Sequence, residues 1–120
     1  MTPFTRGLAG AVAATPGAVG GSFAASDGEL VDASSTGDSH EWALLTAHYG
    51  VILANVEAWL STKYFGGARY LLIANRGLDV AVHTVAEGYY AMIAVTPPSD
   101  TDVVIDNLAT AAALLRTEML

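Results

Sequence analysis

Three histidines, a cluster of carboxylates, a pair of glycines and one turn arginine are the residues whose types could do chemistry here. His40 and His48 stand eight positions apart. A zinc-binding H-E-x-x-H motif sets its two histidines one helical turn apart. His40-Glu41 begins as that motif does, but Leu44 occupies the place of the second ligand. His83 falls in the middle of a predicted strand and reads as a packed or surface residue rather than a base. Asp100, Asp102 and Asp106 crowd the start of a predicted helix, where the helix dipole favours negative charge without any catalytic purpose. Gly20-Gly21 is not a phosphate loop, because neither G-x-x-x-x-G-K-S/T nor G-x-G-x-x-G occurs in the chain. Arg76 sits in a predicted turn. It could reach a partner's nucleotide site as an arginine finger, but a solvated turn residue is the reading adopted. No catalytic residue, cofactor or metal ligand is assigned, and the chain is not expected to be an enzyme.

Composition narrows the partners. The chain has 120 residues, 52% of them hydrophobic and 14% charged, which sets one domain with a real core and excludes disorder. So little charge also implies that a partner covers part of the apolar surface. Five basic against twelve acidic residues leave a net charge of -7, which argues against nucleic acid as a partner. The absence of cysteine fits a reducing cytoplasm. No unbroken apolar run reaches the roughly 18 residues of a membrane span. The N-terminal stretch after Arg6, LAGAVAA, is short and flanked by Gly7 and broken by Gly10, so it is read as structure rather than as a leader.

The elements are organised around residues 38–64, DSHEWALLTAHYGVILANVEAWLSTKY. Asp38 three residues before Glu41 is a capping-box-like start, and Gly66-Gly67 supply the stop. On a helical wheel Trp42, Leu45, Tyr49, Ile52, Leu53, Val56, Trp59 and Leu60 form a core-facing stripe. The other side carries Ala43, Ala47, Gly50, Val51, Ala54 and Ala58 where charges would be usual. Ala43, Ala47, Gly50 and Ala54 are spaced as a close-packing seam. Either another helix of this chain or the same helix of a second copy would fill it, and the low charge favours the second copy.

Around this helix the chain alternates predictably. A short helix over 3–14 presents Phe4, Leu8, Ala11 and Val12 and breaks at Thr15-Pro16-Gly17. AVGGSFAAS and LVDASS are strands joined at Asp27-Gly28, with Gly20-Gly21 marking close approach of another element. ARYLLIAN, LDVAVHTV and YYAMIAV form an antiparallel meander through turns at Asn75-Arg76-Gly77 and Glu87-Gly88. The third of these is apolar on both faces, as suits a central strand. ARYLLIAN is expected at an edge with no proline or lysine to block pairing. A last helix over 99–119, capped by Ser99 with Asp102, presents Val103, Val104, Leu108, Ala111, Leu114 and Leu115 to a core.

This order resembles the roadblock (dynein light chain) family. The features that carry the likeness are TPGAVGGSFAASDGELVDASS, the long small-residue helix, the Glu87-Gly88-Tyr89-Tyr90 entry to the last strand, and the closing helix. The resemblance spans essentially the whole chain. It implies an α+β fold, a five-stranded antiparallel sheet with the long helix on one face and the terminal helices on the other. It further implies dimers that pair the long helices, here residues 42–60, and join the third-strand edges, here Ala68–Asn75. The expected interface is then Ala43, Ala47, Gly50, Val51, Ala54, Ala58, Arg69, Leu71 and Ile73. Family members bind small Ras-like GTPases, as activating proteins of bacterial polarity and gliding switches, or serve as dynein and scaffold subunits. Regulation of a GTPase by a homodimer is therefore the first functional expectation and structural scaffolding the second. A sensory fold with a ligand pocket is the third, weakened because polar residues do not converge in the sequence.

Overall fold

The computed structural model describes residues 3–61 and 66–119, with side chains from Arg6 onward. The elements follow the predicted order: α1 Pro3–Ala14, β1 Ala18–Ala25, β2 Leu30–Ser35, α2 Ser39–Leu60, β3 Tyr70–Ala74, β4 Asp79–Ala86, β5 Tyr89–Val95 and α3 Thr101–Glu118. The expected packing of Phe4 and the expected end of the long helix near Tyr64 lie outside the described residues.

The five strands form one antiparallel sheet in the order β2-β1-β5-β4-β3. Turn chemistry explains both tight hairpins. Gly28 has φ +92° and Gly88 φ +81°, a region that side chains with a Cβ avoid. Asp27 accepts from the Glu29 amide at 3.0 Å, and the β1–β2 turn closes with Gly28 N–H to the Ala25 carbonyl at 2.9 Å. β5 is the central strand, and Tyr90 to Val95 are all buried. β3 is an edge strand, as its direct exit from the long helix predicts.

Alternation along the strands divides the core into two layers. Val80, Val82, Tyr90, Met92 and Ala94 face α2, where Trp42, Tyr49 and Leu53 meet them. Ala81, Val85, Ala91, Ile93 and Val95 face the terminal helices, against Leu8, Val104, Leu108, Ala112 and Leu115. Each fully buried Leu, Ile or Val of these layers contributes on the order of 1.5–3 kcal/mol over exposure. The two sheet glycines admit one helix each. A Cβ on Gly20 would lie 3.0 Å from the Trp42 ring, and one on Gly21 would lie 3.1 Å from Val12 of α1.

Two helix details depart from expectation. Asp100, not Ser99, caps α3, accepting from the amides of Asp102 and Val103. Ser99 instead donates to Asp79 at 2.8 Å. Leu114 is exposed and Ala112 is buried in the core; the Leu114 Cβ lies 4.0 Å from where a Cβ on Gly7 of α1 would stand.

Candidate functional site

α2 is the element with an unusual outer surface. Its start matches the sequence reading, since the Asp38 carboxylate accepts from the His40 amide at 2.8 Å and the Glu41 amide at 3.1 Å. Its sheet-facing stripe is narrower than the wheel implies: Trp42, Thr46, Tyr49, Gly50 and Leu53. Polar bonds fix that stripe to the sheet. Thr46 Oγ1 lies 2.7 Å from Ser22 Oγ and donates to the Trp42 carbonyl at 2.9 Å. Asn75 Nδ2 donates to Tyr49 Oη at 2.8 Å. Tyr90 Oη donates to the Thr46 carbonyl at 2.9 Å. Burial first, and then the negative charge of Asp27, push the Tyr90 hydroxyl up to about 12, so it stays a donor at neutral pH.

Gly50 corrects the sequence reading. It is buried inside its own chain, and a Cβ there would collide with the hydroxyl end of Tyr90. Ala47 also turns inward, its Cβ 3.6 Å from the position a Cβ on Gly28 would take. Gly50 and Ala47 of the small-residue seam therefore seat α2 on its own sheet and hairpin, with the Tyr90 ring filling the place at Gly50, whereas Ala54 of the same seam is exposed. Ala43 is half-buried along the same line.

The exposed face is a different set of residues. Leu44, Val51, Ile52 and Trp59 stand out, with Val51 60% and Trp59 73% exposed. Ile52 and Trp59, expected in the core, belong here. His48, Ala54, Asn55 and Ala58 complete that face. From Trp42 to Leu60 it carries no exposed Lys, Arg, Asp or Glu, because Glu57 is half-buried. By length and composition this helix is apolar enough to cross a membrane; its bonded stripe makes it instead a layer of this domain.

The remaining expected interface residues gather at β3. Arg69 is exposed, while Leu71 and Ile73 are half-buried under α2. The backbone edge of Tyr70–Ala74 that points away from β4 pairs with no other strand of the sheet. The residues screened for chemistry stay apart. His40, His48 and Arg76 are exposed and His83 is buried. Among the described residues no group of three or more His, Asp or Glu is placed to hold a metal.

One feature escaped the sequence reading. A cavity of about 560 Å³ opens between the second half of α2 and the β4–β5 hairpin, where Ser26, Glu57, Thr84 and Glu87 do converge. They come from three separate segments, the β1–β2 turn, α2 and the β4–β5 hairpin, so no spacing in the sequence brings them together.

A sheet with one helix on one face, two on the other and an open β3 edge defines the class: the chain has the Roadblock/LC7 fold. It matches a Roadblock/LC7 domain from Streptomyces avermitilis with a TM-score of 0.84 at 15% identity, over 96% of this chain and 96% of that one. More particularly, it matches Myxococcus xanthus MglB with a TM-score of 0.88 at 8% identity, over 99% of this chain and 96% of that one. A structure of MglB with a tetrameric arrangement matches at 0.84 and 13% identity, over 98% of this chain and 90% of that one. At these identities the likeness is one of fold. No protein-family model and no curated protein sequence matches the chain.

Proposed function

We propose that this chain is a non-enzymatic module of the cytoplasm that pairs with a second copy of itself and, as that dimer, binds and regulates a small Ras-like GTPase. The observation that carries the pairing is the uncharged outer face of α2, and the unpaired edge of β3 supports it. A contiguous apolar patch on a soluble domain marks an interaction surface, and a free strand edge offers the hydrogen bonds to extend the sheet across it. The proposed contacts are Val51, Ala54 and Ala58 with Leu44, Ile52 and Trp59 on α2, and Arg69, Leu71 and Ile73 at the edge; Gly50 and Ala47 pack inside the monomer instead, with Ala43 half-buried. An interface near 1,600 Å² in total is the ordinary size for such a pair.

The GTPase half of the reading is supported by the roadblock resemblance together with the MglB-like fold. Such a module acts by holding the partner's switch segments, whose order depends on the γ-phosphate, and needs no catalytic group of its own. A pull-down with a Ras-like GTPase of the same genome, loaded with GTP or GDP, tests it. Retention that depends on the nucleotide supports regulation; equal retention moves the chain to scaffolding, and none removes the GTPase. Sedimentation at micromolar concentration tests the pairing, which a stable, soluble monomer would refute.

A further inference from the structure

The sheet face that bears α1 and α3 is not fully covered. α1 packs over β1 and β2, and α3 over β4 and β5. Neither helix packs closely on β3. Tyr70 and Leu72 pair with His83 and Ala81 on that face, and both are exposed. They make an apolar shelf along the flank of α3.

Cations gather at one end of the shelf. The Arg69 guanidinium carbon sits 5.8 Å from the centre of the Tyr70 ring. Tyr70 in turn stacks on His83, with centroids 6.1 Å apart and planes inclined by 21°. Arg116, in the last turn of α3, donates through Nε to the Val85 carbonyl, two residues along the same strand. Two of the five Lys and Arg residues of a chain with net charge -7 thus flank one shelf. Among the described residues neither forms an ion pair. Compensation of the α3 dipole accounts for Arg116 but not for Arg69, which arrives from another element and lies over an aromatic ring.

We infer that the shelf of Tyr70 and Leu72, between β3 and the flank of α3, is a docking groove for an acidic peptide segment whose apolar residues alternate with carboxylates. The apolar side chains settle on Tyr70 and Leu72. The carboxylates meet the two guanidiniums, whose planar forks match carboxylate geometry and are held in place by the Tyr70 ring and the Val85 carbonyl. Charge favours this occupant: on a chain of net charge -7 most of the surface repels an acidic segment, and two of its five cations lie on this flank. The groove uses the face of β3 rather than its edge, and lies opposite α2. It is therefore compatible with the proposed dimer but shares Arg69 with its edge, so sedimentation of Arg69→Glu reads the dimer separately from peptide binding.

The test uses a short fluorescein-labelled peptide in which Glu alternates with Leu, and a twin with Lys for every Glu. Fluorescence anisotropy against the full chain should show saturable binding of the Glu peptide, none of the Lys twin, and weakening with added salt. Amide shifts in a ¹⁵N-labelled sample should centre on Tyr70, Leu72 and His83. Arg69→Glu should weaken binding at least tenfold. Arg116→Gln, folded by circular dichroism, should do the same; if it unfolds, Arg69→Glu alone decides. Equal binding of both twins, binding of neither, or shifts centred on Leu44 to Trp59 would each overturn the inference.

Discussion

α2 and α3 begin alike and end in opposite surroundings. Each starts at an aspartate whose carboxylate accepts two first-turn amides, and each buries one stripe on a face of the same sheet. Outward, α3 shows Asp102, Asp106, Thr110, Arg116 and Glu118 to water, whereas α2 shows Leu44, Val51, Ile52 and Trp59. A single exposed apolar residue such as Leu114 on α3 is ordinary, but a whole uncharged face is not. The difference teaches that this fold stabilises both helices from within and leaves one outer surface apolar and uncharged, as the proposed pairing requires.

The largest effect should come from placing a charge on that surface. Val51→Glu buries a carboxylate in the proposed interface without touching the monomer's core. It should raise the dimer dissociation constant at least a hundredfold, about 3 kcal/mol, as read by sedimentation, with the circular dichroism spectrum unchanged. Ala113→Glu at an exposed position of α3 should change neither assembly nor stability by more than about 0.5 kcal/mol. An unaltered Val51→Glu dimer would erase the contrast between the two helices.

A smaller effect separates the inner stripe of α2 from its outer face. Gly50→Ala would raise helix propensity by about 1 kcal/mol in an exposed helix. Here the new Cβ meets the Tyr90 hydroxyl, so overpacking should dominate and destabilise the fold by about 1–3 kcal/mol. Thermal melts decide the sign, and a higher melting temperature would return Gly50 to the outer face.

Much of this architecture was legible because its signals are local. Asp27-Gly28 fixes one hairpin, Glu87-Gly88 another, Asp38 the start of α2, and the direct exit from α2 sets β3 at the edge. The orientation of α2 was not legible, since a helix apolar on every side lacks the polar residues that mark its outer face on a wheel. Thr46, the polar residue that does face inward, is explained by Ser22, twenty-four positions away. Gly50 is explained by Tyr90 on the last strand. The Glu57, Thr84 and Glu87 cavity and the Arg69, Tyr70, His83 and Arg116 flank likewise join segments that only strand pairing and the packing of helices on the sheet bring together.

Alkaline pH sharpens the role assigned to Tyr90. Its folded pKa, about 12, lies above the ordinary value near 10, so the native state holds the phenolic proton more tightly than the unfolded chain. The contribution is complete below pH 10 and is lost as pH rises from 10 through about 12, by roughly 2 kcal/mol. Urea melts across that range should show this loss in the wild type. Tyr90→Phe should lower stability by about 1 kcal/mol at neutral pH through the lost hydrogen bond, and should flatten the alkaline decline. A decline of equal slope in the variant would assign it to other groups.

The smallest predicted effect is a control on the contrast itself. If the two helices differ only in what their outer faces meet, their starts should be worth the same. The Asp38 carboxylate accepts at 2.8 and 3.1 Å, and the Asp100 carboxylate at 3.1 and 3.3 Å. Both carboxylates are exposed, so each cap loses part of its value to competing water. Replacing either by alanine leaves two first-turn amides without their side-chain acceptor and costs about 1 kcal/mol. Measured in the Val51→Glu background, where the chain is expected to be monomeric, Asp38→Ala and Asp100→Ala should lower the urea midpoint by similar amounts. In the wild-type background, at a concentration where the dimer forms, Asp38→Ala should cost no more than it does in the monomer, because the cap lies before the residues proposed to pair. A much larger cost for Asp38→Ala in the dimer alone would extend the partner surface to the N-terminus of α2, beyond Leu44.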